Sequence, residues 1–156
     1  MRFVLDTSSL LNLRNLEWLG ILKSEKDEFF CPEKVEKEIR RGKSRNQEIL
    51  RLFQEDIVAV QKVSQYVDFA SVSNADAEVI SLALESQSTI ISDDAPLRET
   101  ANHYGVSAID IAGFVLLTYQ QGRMDHNECS SHLTSLFKKK ILSKSKYHQL
   151  LTLIRS

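Results

Sequence analysis

The chain has 156 residues, with 20 Lys and Arg against 21 Asp and Glu, giving a formal net charge of −1. A single domain of this size buries about two-thirds of its unfolded surface, enough for a core without staples. Cys31 and Cys129 are far apart with no CxxC spacing, which argues against a zinc site, a redox motif or a disulfide scaffold.

The first strand is RFVL (2–5), and a helical stretch with Leu10, Leu11, Leu13 and Leu16 follows it. That stretch continues through Trp18, Leu19, Ile21 and Leu22, and Gly20 weakens its end, so a break into two pieces is expected there. EFFC (28–31) reads as a second strand, stopped by Pro32 where proline is tolerated at a helix start. A helix over 33–41 comes next, then Gly42, then a helix holding Ile49, Leu50, Leu52 and Phe53. IVAVQKV (57–63) reads as a strand and YVDFA (66–70) as a loop or strand. Ser73 opens a capping pattern ahead of the helical run AEVISLALE. STIIS (88–92) is a strand, and DAPLRETANHYG is a helix closed by Gly105. VSAI (106–109) is one more strand, and DIAGFVLLTYQQG (110–122) a buried helix closed by Gly122. Amphipathic stretches over 126–139 and 146–154 complete the chain. Strands alternating with helices of this length require parallel crossovers, which predicts an α/β three-layer sandwich on a central parallel sheet. The longest apolar run, IAGFVLL, is too short to span a bilayer. MRFVLD has too short an apolar core to read as a signal peptide, so a cytoplasmic, membrane-free protein is expected.

The near-zero total charge hides an asymmetry. Residues 1–122 carry 13 basic and 19 acidic side chains, whereas residues 123–156 carry 7 and 2. The division suggests a core over 1–122 and a basic helical extension over 123–156, packed on the same domain. A second basic cluster, Lys34, Lys37, Arg40, Arg41, Lys43 and Arg45, lies inside the acidic part. Such patches attract polyanions by counterion release, although a single lysine run is more often a solvated helix face.

The acids have their own pattern. RFVL ends in Asp6, and STIIS is followed at once by Asp93 and Asp94. Ligands of open parallel sheets collect at the carboxyl ends of the strands, so these acids share a rim if their strands are neighbours. Asp76, at the start of the helix preceding STIIS, reaches the same rim if that helix runs antiparallel to the strand. Bare carboxylates repel one another in a shared pocket, and a hard divalent cation with oxygen ligands, Mg²⁺ or Mn²⁺, resolves that repulsion. The chemistry this suggests is metal-assisted phosphodiester hydrolysis. Each acid also has a structural use: Asp6 as a helix cap, Asp76 within a capping box, and Asp94, for which capping is the favoured reading.

The segments DTSSLLNL, PEKVEKEI, NADAEVISLALE and IISDDAPLRETANHYGV resemble, in that order, the landmarks of PIN-domain nucleases, including VapC-like ribonucleases. The likeness spans about residues 2–122. It implies an α/β/α sandwich and Mg²⁺- or Mn²⁺-dependent cleavage of single-stranded RNA, with a toxin role beside a cognate antitoxin as one form. Carried over by position, it makes Asp6 the first acid, Glu38 the second, Asp76 the third and Asp93 the fourth. Asp6, Asp76 and Asp93 would hold the metal, with Ser8, Asp94 and Asp110 as auxiliaries. Helical periodicity leaves Glu36 and Glu38 equally placed, and the motif match alone favours Glu38. Glu78 is the rival to Asp76. The 34–45 basic cluster would guide the RNA backbone, and self-association through apolar helices follows from the same resemblance. Tyr66, Tyr104 and Tyr119 could stack bases, with core packing the commoner use of such residues. The competing reading is a catalytically silent RNA-binding or scaffold module of the same fold. A dehalogenase-like phosphohydrolase is disfavoured because Ser8 stands where its second aspartate belongs.

Overall fold

The computed structural model describes residues 1–69 and 71–155, so Ala70, at the end of YVDFA, and Ser156 lie outside the described residues. Among the described residues, five strands form one sheet: β1 (Arg2–Leu5), β2 (Glu28–Pro32), β3 (Val58–Gln61), β4 (Thr89–Ile91) and β5 (Ala108–Ile109). Their order is β3-β2-β1-β4-β5, with parallel pairing of β1 to β2 and β4, and of β2 to β3. This is the α/β parallel-sheet class expected from the alternation of elements. As the middle strand, β1 buries Phe3, Val4 and Leu5 completely, which explains its uninterrupted apolar run. Phe3 stacks on its register partner Phe29 with ring centroids 5.4 Å apart.

The helices of the first part are α1 (Thr7–Asn15), α2 (Glu33–Arg41), α3 (Gln47–Gln54), α4 (Asn74–Ser86) and α5 (Ala95–His103). Then come α6 (Ile111–Gln120), α7 (His126–Lys138) and α8 (Lys144–Arg155). The chain divides into two compact units, residues 1–108 and residues 109 onward. In the first, α1, α2 and α4 bury Leu10, Leu13, Val35, Ile39, Val79 and Ile80. In the second, α6 groups with α7 and α8. There Phe137 of α7 stacks on Tyr147 of α8, whose hydroxyl lies 2.9 Å from that of Thr134. Among the described residues no helix is long and apolar enough to cross a membrane.

Helix endings follow one device. After α1, α3, α4, α5, α6 and α7, a residue with positive φ reverses the chain and the next N–H returns to a carbonyl five residues back. Only Gly105 and Gly122 are glycines; Glu17, Asp56, Gln87 and Lys140 fill the other four positions. The break after α1 therefore falls at Glu17, where Trp18 N–H bonds the Leu13 carbonyl at 2.8 Å, and not at Gly20. Gly20 sits within a 3₁₀ turn over Leu19–Leu22 that buries both of its leucines. The expected strand over 57–63 shortens to β3, and 66–69 forms no strand.

Because a side chain in this left-handed conformation costs about 1–2 kcal/mol, part of it offset by glycine's chain entropy, Gln87→Gly should stabilise the fold. Urea unfolding is expected to show a gain of about 0.5–1 kcal/mol.

Candidate active site

Leu5 of β1 and Ile91 of β4 are register partners, so Asp6 and the Ser92–Asp94 segment leave the sheet side by side. Strand order reverses here, since β2 and β3 lie to one side of β1 and β4 and β5 to the other. Crevices at such switch points are where parallel sheets bind ligands.

Asp6 caps α1 by accepting the Ser9 N–H at 2.9 Å, and it is only 4% exposed. Its carboxylate also accepts the Ser8 hydroxyl at 2.9 and 3.1 Å and, on Oδ2, the hydroxyl of Ser92. Ser92 is fully buried and accepts the Asp94 N–H at 3.1 Å, so one hydroxyl links the Asp6 carboxylate to the Asp94 backbone. Arg98 fixes the same turn by donating to the Ser92 carbonyl at 2.9 Å. Asp94 in turn caps α5 through the Leu97 N–H.

A cavity of about 270 Å³ opens over this rim, and Asp6, Ser8, Glu38, Asp76 and Asp94 line it. Asp76 stands in the first turn of α4, whose cap is Ser73. Its carboxyl is pushed up to about 6, first by burial and then by the charges of Asp94, Asp6 and Glu38, against a lowering hydrogen bond from Ser73. Each of the other three acids therefore acts on Asp76 through space.

The remaining candidates are placed elsewhere. Asp93 accepts the Asn12 amide at 2.7 Å and does not line the cavity. Glu36 pairs with Arg40 one turn on, whereas Glu38 faces the cavity. Glu78 accepts the Lys34 N–H at 3.2 Å and lines a different groove, together with Lys34 and Lys37. Arg41, Lys43 and Arg45 are exposed beyond the cavity lining. Asp110, in the second unit, caps α6 through Gly113 N–H at 2.7 Å and pairs with Lys146. Ser92 and Asn12 were not identified as site residues in the sequence, although Ser92 ends the STIIS run beside the two aspartates.

The oxygen-only donor set and the mutual repulsion felt by Asp76 suit a hard divalent cation such as Mg²⁺ or Mn²⁺. Among the described residues, no three His, Cys, Asp or Glu side chains are already set at metal-holding distances.

The chain thus presents an acidic crevice at the switch point of a parallel sheet. The chain belongs to the PIN-domain family, whose model matches residues 2–156. PIN domains are generally nucleases. No curated protein matches by sequence. Among solved structures, the chain is similar to a PilT N-terminus domain protein from the archaeon Sulfolobus solfataricus P2. The two share 20% identity at a TM-score of 0.56, over 71% of this chain and 87% of that one. A domain of a functionally unknown protein from Methanocaldococcus jannaschii DSM 2661 is also similar, at 18% identity and a TM-score of 0.51. That match covers 70% of this chain and 89% of the other. At these identities the likeness establishes the fold alone.

The raised Asp76 pKa has a definite sign. Its contribution to stability is fully present below the ordinary value of 3.8 and is lost as pH rises through about 6. Asp76→Asn should therefore stabilise the metal-free protein above pH 6, by on the order of 1 kcal/mol after discounting for solvent screening. Thermal unfolding in EDTA is expected to show that advantage growing between pH 4 and pH 7.

Proposed function

We propose that this chain is a divalent-cation-dependent endoribonuclease that hydrolyses phosphodiester bonds of single-stranded RNA. One observation carries the reading: Asp6, Glu38, Asp76 and Asp94, from four separate segments, line one cavity at the sheet's switch point. Structural capping alone does not account for this convergence, since Glu38 caps nothing and Asp76 is held near other acids against its own charge. Asp6, Asp76 and Asp94, with Glu38 beside them, would hold Mg²⁺ or Mn²⁺. Such a cation, when bound, supplies positive charge to a phosphodiester and offsets charge developing on the leaving oxygen.

The chain's own groups do the rest. Ser8 and Ser92 fix the Asp6 carboxylate from two sides, so that it meets a ligand in one orientation. The apolar side chains of Val35, buried, and Leu11, half-buried, limit water around the acids. Asp93, tied to Asn12, holds α1 against the turn after β4 and acts as a supporting residue. The 34–45 basic segment would meet RNA phosphates and orient the strand without reading bases. A toxin role beside a small antitoxin, and self-association, belong to the same proposal. Light scattering of the purified chain, alone and with the product of an adjacent reading frame, tests both.

The central test is cleavage of single-stranded RNA with Mg²⁺ or Mn²⁺. Wild type is expected to cut, and Asp6→Asn to lose activity while keeping its far-UV spectrum. Equal cleavage by both would sink the assignment, and RNA binding without cleavage by either would favour the silent module. Asp94→Asn should lose more activity than Asp93→Asn. Ser92→Ala, which removes only a supporting hydroxyl, should lower activity about 10- to 100-fold.

A further inference from the structure

Beside the acidic cavity lies an open groove of about 460 Å³, on the neighbouring faces of the same two helices. On α2, Val35 and Glu38 line the cavity while Lys34 and Lys37 line the groove; on α4, Asp76 lines the first and Asn74 and Glu78 the second. A strand crossing the cavity therefore meets the groove next.

Tyr66 is the groove's distinctive residue. It is 45% exposed, although the loop that carries it is firmly anchored. The Ser64 and Gln65 N–H groups donate to the Glu85 carboxylate, and Val67 N–H donates to Ser81 Oγ at 2.9 Å. Phe69, at the end of the loop, is buried and meets Tyr104 edge-on at 4.7 Å. The phenol itself is held by Asn74 Oδ1 at 3.3 Å and by the Lys34 ammonium 5.5 Å from the ring centroid. An aromatic ring kept exposed on a fixed loop loses little conformational freedom when a flat partner stacks on it.

Charge narrows the ligand. The lining holds as many acids as lysines, so it carries no net positive charge. Lys34 is taken up by Glu78, while Lys37 and Lys62 form no ion pair with any described residue. A flat body with a hydrogen-bonding edge, flanked by negative charge, matches that lining, and a nucleotide within a strand has this form.

We propose that Tyr66 is the stacking platform of a nucleobase subsite, with Lys37 and Lys62 facing the flanking phosphates of a single-stranded RNA. The proposal rests on the nuclease reading for its ligand class. Its test uses the full chain, fluorescence anisotropy with a short fluorescein-labelled single-stranded RNA in Ca²⁺, and steady-state cleavage in Mn²⁺. Tyr66→Ala should weaken binding about tenfold and raise KM with kcat nearly unchanged, while Tyr66→Phe stays within about twofold of wild type. A sugar–phosphate oligomer lacking bases should bind wild type and Tyr66→Ala equally. Unchanged affinity in Tyr66→Ala, or the same loss for the base-free oligomer, would overturn the subsite. Tyr66-dependent binding without any cleavage would uphold the subsite and sink the nuclease reading. Cleavage indifferent to Tyr66 would do the reverse, and absence of both binding and cleavage would remove both.

Discussion

The structure turns on the Asp6 carboxylate. It ends the central strand, starts the first helix through Ser9 N–H, and accepts the hydroxyls of Ser8 and Ser92. Three elements thus meet at one side chain: β1, α1 and the turn leaving β4. Removal of that carboxylate would leave the buried Ser92 hydroxyl without its acceptor, an expensive loss where little water can substitute. The same geometry sets Asp94, whose N–H rests on Ser92, at the edge of the cavity. One network therefore serves both packing and the candidate chemistry.

Around this anchor the chain holds an electrostatic tension. Four acids line a single cavity, and the Asp76 pKa is raised first by burial and then by the charges of its neighbours. A fold under no other demand would replace one of them by an uncharged residue and gain stability. Retained repulsion of this kind marks sites where charge serves binding more than folding. The formal net charge of −1 is thus a poor guide to the local field at the crevice. On α2, Glu38 lines the acidic cavity while Lys34 and Lys37 line the neighbouring groove together with Glu33.

Much of this was legible in the chain. The apolar run FVL after Arg2 announced a strand, and the alternation of strands and helices announced a parallel sheet. Glycine marked the ends of α5 and α6, but the same closure after α1, α3, α4 and α7 uses Glu17, Asp56, Gln87 and Lys140. Glu17, Gln87 and Lys140 carry no residue-type signal for a left-handed turn, and the conformation is closed at each by a backbone hydrogen bond five residues back. Spacing could not separate Glu36 from Glu38 either. Arg40 one turn away draws Glu36 aside and leaves Glu38 to the cavity.

The sequence by itself determined the fold class and several of the capping residues, because these depend on local periodicity and on the ends of elements. That the acids share one rim depends on β1 and β4 being neighbours, which is a tertiary fact. Only the tertiary structure decided which acid looks where. Asp93 and Asp94 are chemically identical neighbours, and their fates diverge because Asn12 captures one while Ser92 and the start of α5 turn the other inward. Tyr66 likewise reads as one aromatic among several until Glu85 and Ser81 pin its loop and leave the ring in the open. Asn12, Glu85 and Ser81 are long-range partners, and one chain read in order contains no distance to them.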